Sequence, residues 1–367
     1  MRLRQLGVLS ALSWVALGCQ PPVEAGCEGA EFVALEGEGA VAVPAGVRRF
    51  NRFGMNVEIW YPGVPGSEAG RAPHVYDLRR YLPPEEAAKV SDAQNPWQPC
   101  PCYDGLPLDT RRGPYPVIVF IHGTAGYAAQ SAQLTAYWAS QGFVVIAMDH
   151  PGIYLTDLLA LNMAPRQAED VRELLADLRA FRGGFAELEG AVDLQRIAIT
   201  GHSAGGYASG ELGDEQGVQL LMPMAAGGTS AAGPMSLILG AVDDQVVPYA
   251  DAESGYEQTP GEKLLVGLNN AGHLAFSDLC AMGSDQGGLV VILQETGISI
   301  PDAAGDLVER LGTDGCAEGQ MSPERGWAIT QAVTGSYLSA RLQCRGEEMS
   351  AEAIAVAFGD DVTVRAP

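Results

Sequence analysis

Gly201-His-Ser-Ala-Gly-Gly206 stands between a β-forming run, Arg196-Ile-Ala-Ile-Thr200, and a stretch of helix formers over residues 204–212. Gly-x-Ser-x-Gly is informative only where a strand enters it and a helix leaves it, and both conditions hold here. The serine then sits on a tight turn with strained backbone angles. Small flanking residues let neighbouring backbone come close, and the helix N-terminus behind the turn favours negative charge. This junction restricts the chain to folds in which a buried strand delivers one residue to the top of a helix.

A serine hydroxyl is a weak nucleophile until a base takes its proton. With a serine in this setting the chain order is serine, then Asp or Glu, then His. The chain has five histidines, and only His273 lies well beyond Ser203. It falls in a small-residue loop, Asn270-Ala-Gly-His273, after the apolar run Lys263–Leu268. His202 adjoins the serine, and its side chain is expected to point away around the turn. The acid that orients the imidazole should follow the run Met235–Leu239, where Asp243 and Asp244 stand together; Asp244 is preferred and Asp243 is its rival. An oxyanion needs two aimed N–H groups. Ala204 supplies one, and Thr124, in the loop His122-Gly-Thr-Ala-Gly126, supplies the other. His122 itself is expected to brace that loop. Tyr127, Tyr154 and Tyr207 are expected near the mouth of the site, as contacts to substrate or as packing.

The rest of the chain fits this junction. Val117–Ile121 and Phe143–Met148 are continuous apolar runs of the kind buried on both faces of a parallel sheet. Residues 128–141 and 166–181 carry helical spacing, the second through Val171, Leu174, Leu175 and Leu178. Met55–Tyr61 and residues 219–222 add strands, and residues 327–342 a C-terminal helix. Strands alternating with helices predict an α/β doubly wound sheet with right-handed crossovers.

These blocks together resemble the α/β-hydrolase superfamily. The nearest likeness is to the branch of dienelactone hydrolases, platelet-activating-factor acetylhydrolases and cutinase-like polyester hydrolases. The likeness is carried by Val57–Pro62, Val119–Gly123, Ala139–Val145, Ile197–Gly206, Gly240–Pro248 and Gly272–Asp278. It implies an α/β-hydrolase fold without a large lid domain. It also implies a serine hydrolase of carboxylic esters, with Ser203 as nucleophile, Asp244 and His273 as acid and base, and Thr124 with Ala204 as oxyanion donors. A phospholipase A2-like acetylhydrolase, a polyester hydrolase and, in another class, a non-catalytic binding scaffold are the alternatives. Hydrolysis and acyl transfer use the same residues.

Two segments exceed what such a fold needs: a Pro- and Gly-rich excursion over residues 62–115, and a cysteine-containing extension over residues 281–367. The excursion reads as an irregular surface segment. Only about 40 residues separate Ser203 from Asp244, which leaves little for a lid. An open site taking short or exposed acyl groups is the expectation.

The N-terminus reads as a leader. Arg2 and Arg4 precede an apolar run from Leu6 to Leu17 that is too short to span a bilayer. Gly18-Cys19 resembles a lipoprotein processing site, with residues 1–18 as signal peptide, Cys19 as the lipidated residue and residues 19–45 as a tether before one domain over 46–367. A plain signal peptide cleaved nearby is the alternative. The expected place is the cell envelope, or outside the cell. The other six cysteines allow up to three disulfides in an exported chain. Cys280 is expected to pair with Cys316 or Cys344 and to clamp the His273 loop, whereas Cys100 and Cys102 stand too close in sequence to be expected to pair comfortably with each other. A net charge of −23 disfavours nucleic acid as a partner. No Walker loop, dinucleotide fingerprint or paired His is present, so no cofactor or metal is expected. An ester substrate is the one partner implied, with a membrane added if Cys19 carries lipid.

Overall fold

The structure is a computed structural model and describes residues 43–230 and 233–367. The expected signal peptide, Cys19 and nearly all of the tether lie outside the described residues.

Ten strands form one sheet. They are β1 (Ala45–Arg52), β2 (Met55–Pro62), β3 (Cys102–Asp104), β4 (Tyr115–Ile121), β5 (Val144–Met148), β6 (Val192–His202), β7 (Val218–Met224), β8 (Met235–Ala241), β9 (Lys263–Leu268) and β10 (Val362–Arg365). Their order across the sheet is β10-β9-β8-β7-β6-β4-β5-β2-β1-β3. The central run from β9 to β5 is parallel. β2 joins β5 antiparallel, β1 forms a hairpin with β2, and β10 closes the far edge antiparallel to β9.

The helices are α1 (Ala132–Ser140), α2 (Gln167–Arg179), α3 (Ala204–Gly210), α4 (Tyr249–Gln258), α5 (Leu289–Glu295), α6 (Asp302–Thr313), α7 (Pro323–Gln343) and α8 (Ala351–Phe358). Short helical turns lie between them. A parallel sheet has to be covered on both faces, and β4 shows how. Val117, Val119 and Ile121 pack with Val171, Leu174 and Leu178 of α2 on one face. Ile118 and Phe120 pack with Trp138 of α1 and Val333 of α7 on the other. Period 2 in the strand and period 3.6 in the helices therefore meet as the sequence pattern required. α7 starts where Pro323 takes the first helical position and the Ser322 hydroxyl accepts from Arg325 N–H. It is fixed to α1 by a bond from Trp138 Nε1 to Thr334 Oγ1, 3.0 Å long.

The excursion over 62–115 is less superficial than expected. It supplies edge strand β3 and a two-residue ribbon, Val75–Tyr76 with Gln98–Pro99, and it buries Tyr76, Tyr81 and Gln98. The pairing of its cysteines also corrects the expectation: Cys100 and Cys102 are joined to each other, because the chain bends at the intervening Pro101 and brings their Cα atoms to 5.1 Å. Cys280 is bonded to Cys316, one of its two expected partners, and Cys344 is also in a disulfide.

Candidate active site

The residues singled out from sequence come from the carboxyl ends of parallel strands, where loops of this architecture gather their functional groups. Ser203 follows β6, Thr124 follows β4, and Asp244 and His273 follow β8 and β9. Ser203 has φ 59° and ψ −122°, a strained turn for a residue with a Cβ. The glycines around it explain how the turn fits. A Cβ on Gly205 would overlap the carbonyl oxygen of Ile121, and one on Gly206 would stand 2.6 Å from Ala226 Cβ. The turn is held by Ser203 N–H donating to Met224 O at 2.9 Å.

Asp244 is buried, and Asp243 is exposed. Asp244 Oδ1 accepts from the N–H groups of Val246 and Val247 at 2.8 and 2.7 Å, while Oδ2 accepts from His273 Nδ1 at 2.7 Å. That bond places the imidazole proton on Nδ1 and leaves Nε2 as a lone-pair site. Nε2 is buried and has no protein partner among the described residues. The N–H groups of Thr124 and Ala204 are likewise unbonded among the described residues. The arrangement can thus offer a hydroxyl, an oriented base and two free donors.

A buried polar network ties these loops together, and sequence reading missed most of it. His202 does not point away: its Nε2 donates to His273 O at 2.8 Å, and its Nδ1 accepts from Gln130 Nε2 at 3.1 Å. Gln130 Oε1 accepts from Gly123 N–H at 3.1 Å. One glutamine and one histidine so join the Thr124 loop to the His273 loop across the serine turn. Burial, with His273 beside it, holds His202 down to about 3, so it stays neutral and keeps this tautomer. His122 braces its loop as expected. Nδ1 donates to Gly123 O at 2.8 Å and Nε2 accepts from His150 N–H at 2.9 Å, with burial pushing its pKa down to about 3.

Asp314 is the second addition. Its Oδ2 accepts from the N–H groups of His273 at 2.9 Å and Gln245 at 3.0 Å, and its carbonyl accepts from Leu274 at 3.0 Å. It lies in the extension, 41 residues beyond His273, so no local pattern announces it. The Cys280–Cys316 disulfide closes a 36-residue interval around it. Replacing both cysteines by serine is expected to cost about 2–4 kcal/mol, because the unfolded chain regains loop entropy. Urea unfolding of the double variant measures this.

Asp278 anchors the same region. Its carboxylate accepts from Gln98 Nε2 at 2.8 Å and from Gln133 N–H at 3.2 Å, at the start of α1. Burial outweighs those bonds and raises its pKa to about 7. The folded chain therefore takes up a proton at this site near pH 7, and the unfolded chain only near pH 4. The contribution of this group to stability falls as pH rises from about 4 to about 7, by roughly 2 kcal/mol between pH 5 and pH 7. Glu58 and Asp149, raised to about 7 and about 6 by burial, act in the same direction, and the buried neutral His122 and His202 act in the opposite one. Denaturant unfolding of the wild type and Asp278→Asn at the two pH values checks this: the variant should gain roughly 2 kcal/mol relative to the wild type between pH 5 and pH 7.

Of the three tyrosines, Tyr127 is buried and donates to Gln98 Oε1 at 3.0 Å, and it stacks on Tyr81. Tyr154 is half-buried beside Tyr81, and Tyr207 is exposed, its hydroxyl donating to Asp251 at 3.4 Å. The site is also more enclosed than expected: Ser203 is 5% exposed and His273 is fully buried.

A strained serine between β6 and α3, with its partners after later parallel strands, is the topology that decides the fold class. The chain is an α/β-hydrolase by fold. A family model described as "Serine aminopeptidase, S33" matches residues 113–228, the span from β4 through β7. The bis(hydroxyethyl) terephthalate hydrolase of Streptomyces coelicolor is 29% identical over 178 residues, covering 46% of this chain. The match spans about half, 54%, of that relative's length. Among solved structures, a ferulic acid esterase from Streptomyces cinnamoneus superposes with a TM-score of 0.57 at 21% identity. That superposition covers 91% of this chain and 98% of the esterase, and it speaks to fold alone.

Proposed function

We propose that the protein is a serine hydrolase of carboxylic esters. The observation that carries this reading is the buried Asp244–His273 pair, whose free Nε2 lies at the same sheet end as a serine held at φ 59°. Ser203 Oγ attacks the ester carbonyl while His273 Nε2 takes its proton. The carbonyl oxygen becomes an oxyanion and is met by the N–H groups of Thr124 and Ala204. His273 then protonates the departing alkoxide, leaving an acyl group on Ser203. Water enters, His273 takes its proton, and the acid leaves as the serine is restored. Asp244 keeps Nδ1 protonated and stabilises the imidazolium in both halves.

The Streptomyces coelicolor relative is named for hydrolysis of bis(hydroxyethyl) terephthalate, which supports an ester over an amide substrate. Export of this chain, with Cys19 lipidated, is part of the proposal. The disulfides Cys100–Cys102 and Cys280–Cys316 support an oxidising compartment. The expectation of an open site for short acyl groups is not carried forward, given the burial of Ser203 and His273.

Release of p-nitrophenol from p-nitrophenyl acetate tests the reading. A burst equal to the enzyme concentration, followed by slower turnover, is expected of an acyl-enzyme. Added methanol should divert part of the product to methyl acetate, which reports how far acyl transfer competes with hydrolysis. Absence of any hydrolysis across simple esters would favour the scaffold alternative.

A further inference from the structure

The two segments that exceed a minimal hydrolase meet each other. Lys89 Nζ, in the excursion, donates to Gly297 O at 2.9 Å and to Ser299 Oγ at 3.2 Å, in the loop between α5 and α6. Glu86 Oε2 accepts from Ser299 N–H at 2.8 Å. Between them lies a cavity of about 130 Å³. The excursion lines it with Leu78, Leu82 and Val90, and the helical pair α5 and α6 lines it with Leu293, Val308 and Leu311. Thr124, Ala125 and Tyr127, from the loop that offers the oxyanion donor, form part of its wall, with Leu155 and Leu279 beside them.

The cavity meets the candidate site at Thr124, while Ser203 and His273 stand outside its lining. Gly123, next to Thr124, packs so closely on the serine turn that a Cβ there would stand 3.0 Å from Ser203 Cβ. On the other side, α6 runs through Leu311 and Gly312 to Asp314, which bonds His273 N–H. Val308 and Ala304 of α6 pack with Leu158 and Ala125, so the helix rests on the oxyanion loop. Arg79 stands at the cavity, but its charge is already met by Asp77 and Asp92. A carboxylate-bearing group therefore gains no unpaired cation there, and an apolar group gains burial.

We propose that this cavity is the acyl pocket of the hydrolase, and that it selects esters of acids with about six apolar carbons, alkyl or a single aromatic ring. This rests on the serine hydrolase reading. Thr124, which in the serine hydrolase reading donates to the carbonyl oxygen, also lines the cavity, so an acyl chain bonded to the carbonyl carbon is within reach of it. A cavity of similar size, about 150 Å³, accepts one benzene ring. Each methylene taken from water into such a site raises kcat/KM by about fourfold. The pocket is full after about six carbons.

The test is kcat/KM for p-nitrophenyl acetate, hexanoate, benzoate and dodecanoate. Hexanoate should exceed acetate by about 250-fold, four methylenes at about fourfold each. Benzoate should also exceed acetate, and dodecanoate should gain nothing over hexanoate. In Leu293→Trp and Leu78→Trp, each filling the cavity from a different segment, the hexanoate-to-acetate ratio should drop below about 5. Ser203-dependent hydrolysis with a ratio near 1 in the wild type, or a ratio unmoved in both variants, would overturn the pocket and leave the esterase reading intact. No ester hydrolysis at all would overturn both. The wild-type profile stands by itself should either variant misfold, which thermal unfolding reports.

Discussion

Ser203→Ala is expected to lower kcat/KM for p-nitrophenyl esters by about 10⁴-fold or more while the protein stays folded. The oxygen that forms the acyl-enzyme is gone, whereas the N–H groups of Thr124 and Ala204 and the apolar cavity remain. Substrate should still bind, so KM should change far less than kcat. Alanine meets the strained turn no worse than serine, and the bond from residue 203 N–H to Met224 O involves only backbone. Thermal unfolding should therefore place the variant close to the wild type. A loss of activity accompanied by a collapse in stability would point to a structural role for the hydroxyl instead.

Asp244→Asn should cost about 10⁴-fold in kcat, and Asp243→Asn less than about twofold. The contrast follows from the partners of Asp244. Oδ1 accepts from two backbone N–H groups, Val246 and Val247, and Oδ2 faces His273 Nδ1. An asparagine keeps its one oxygen where two donors demand it, which turns its NH2 toward His273. The imidazole must then accept at Nδ1 and carry its proton on Nε2, the wrong tautomer for a base. Asp243 is exposed and contributes its backbone N–H to Ala271 O, a bond that the substitution keeps. Steady-state kinetics on both variants separates the neighbours that sequence left as rivals.

The parts of this molecule that were legible in sequence are those built from local periodicity. The runs at 117–121, 143–148 and 263–268 became β4, β5 and β9 because each lies in the parallel core, where continuous apolar sequence is required. Val171, Leu174, Leu175 and Leu178 of α2 are all buried, as their spacing predicted. β1 was not legible: its charged residues, Arg48, Arg49 and Arg52, mask the alternation, and it exists because a Phe53-Gly54 turn returns it to β2. β10 is a four-residue edge strand whose pairing with β9 spans about a hundred residues.

The candidate site divides the same way. Ser203, Asp244, His273, Thr124 and Ala204 could each be placed by chain order after a strand. Gln130, His202 and Asp314 could not, since their importance lies in side-chain to backbone bonds between loops far apart in sequence. The cavity beside the Thr124 loop is the extreme case. It is made where two segments, each irregular or unremarkable alone, close on the oxyanion loop.

The central claim is that Ser203 is a nucleophile activated by His273. The most direct measurement is mass spectrometry of the protein after reaction with a fluorophosphonate. One adduct per chain, mapped to Ser203 and absent from His273→Ala treated in parallel, is the predicted result. An unmodified wild-type protein, or an adduct on another residue, would contradict it.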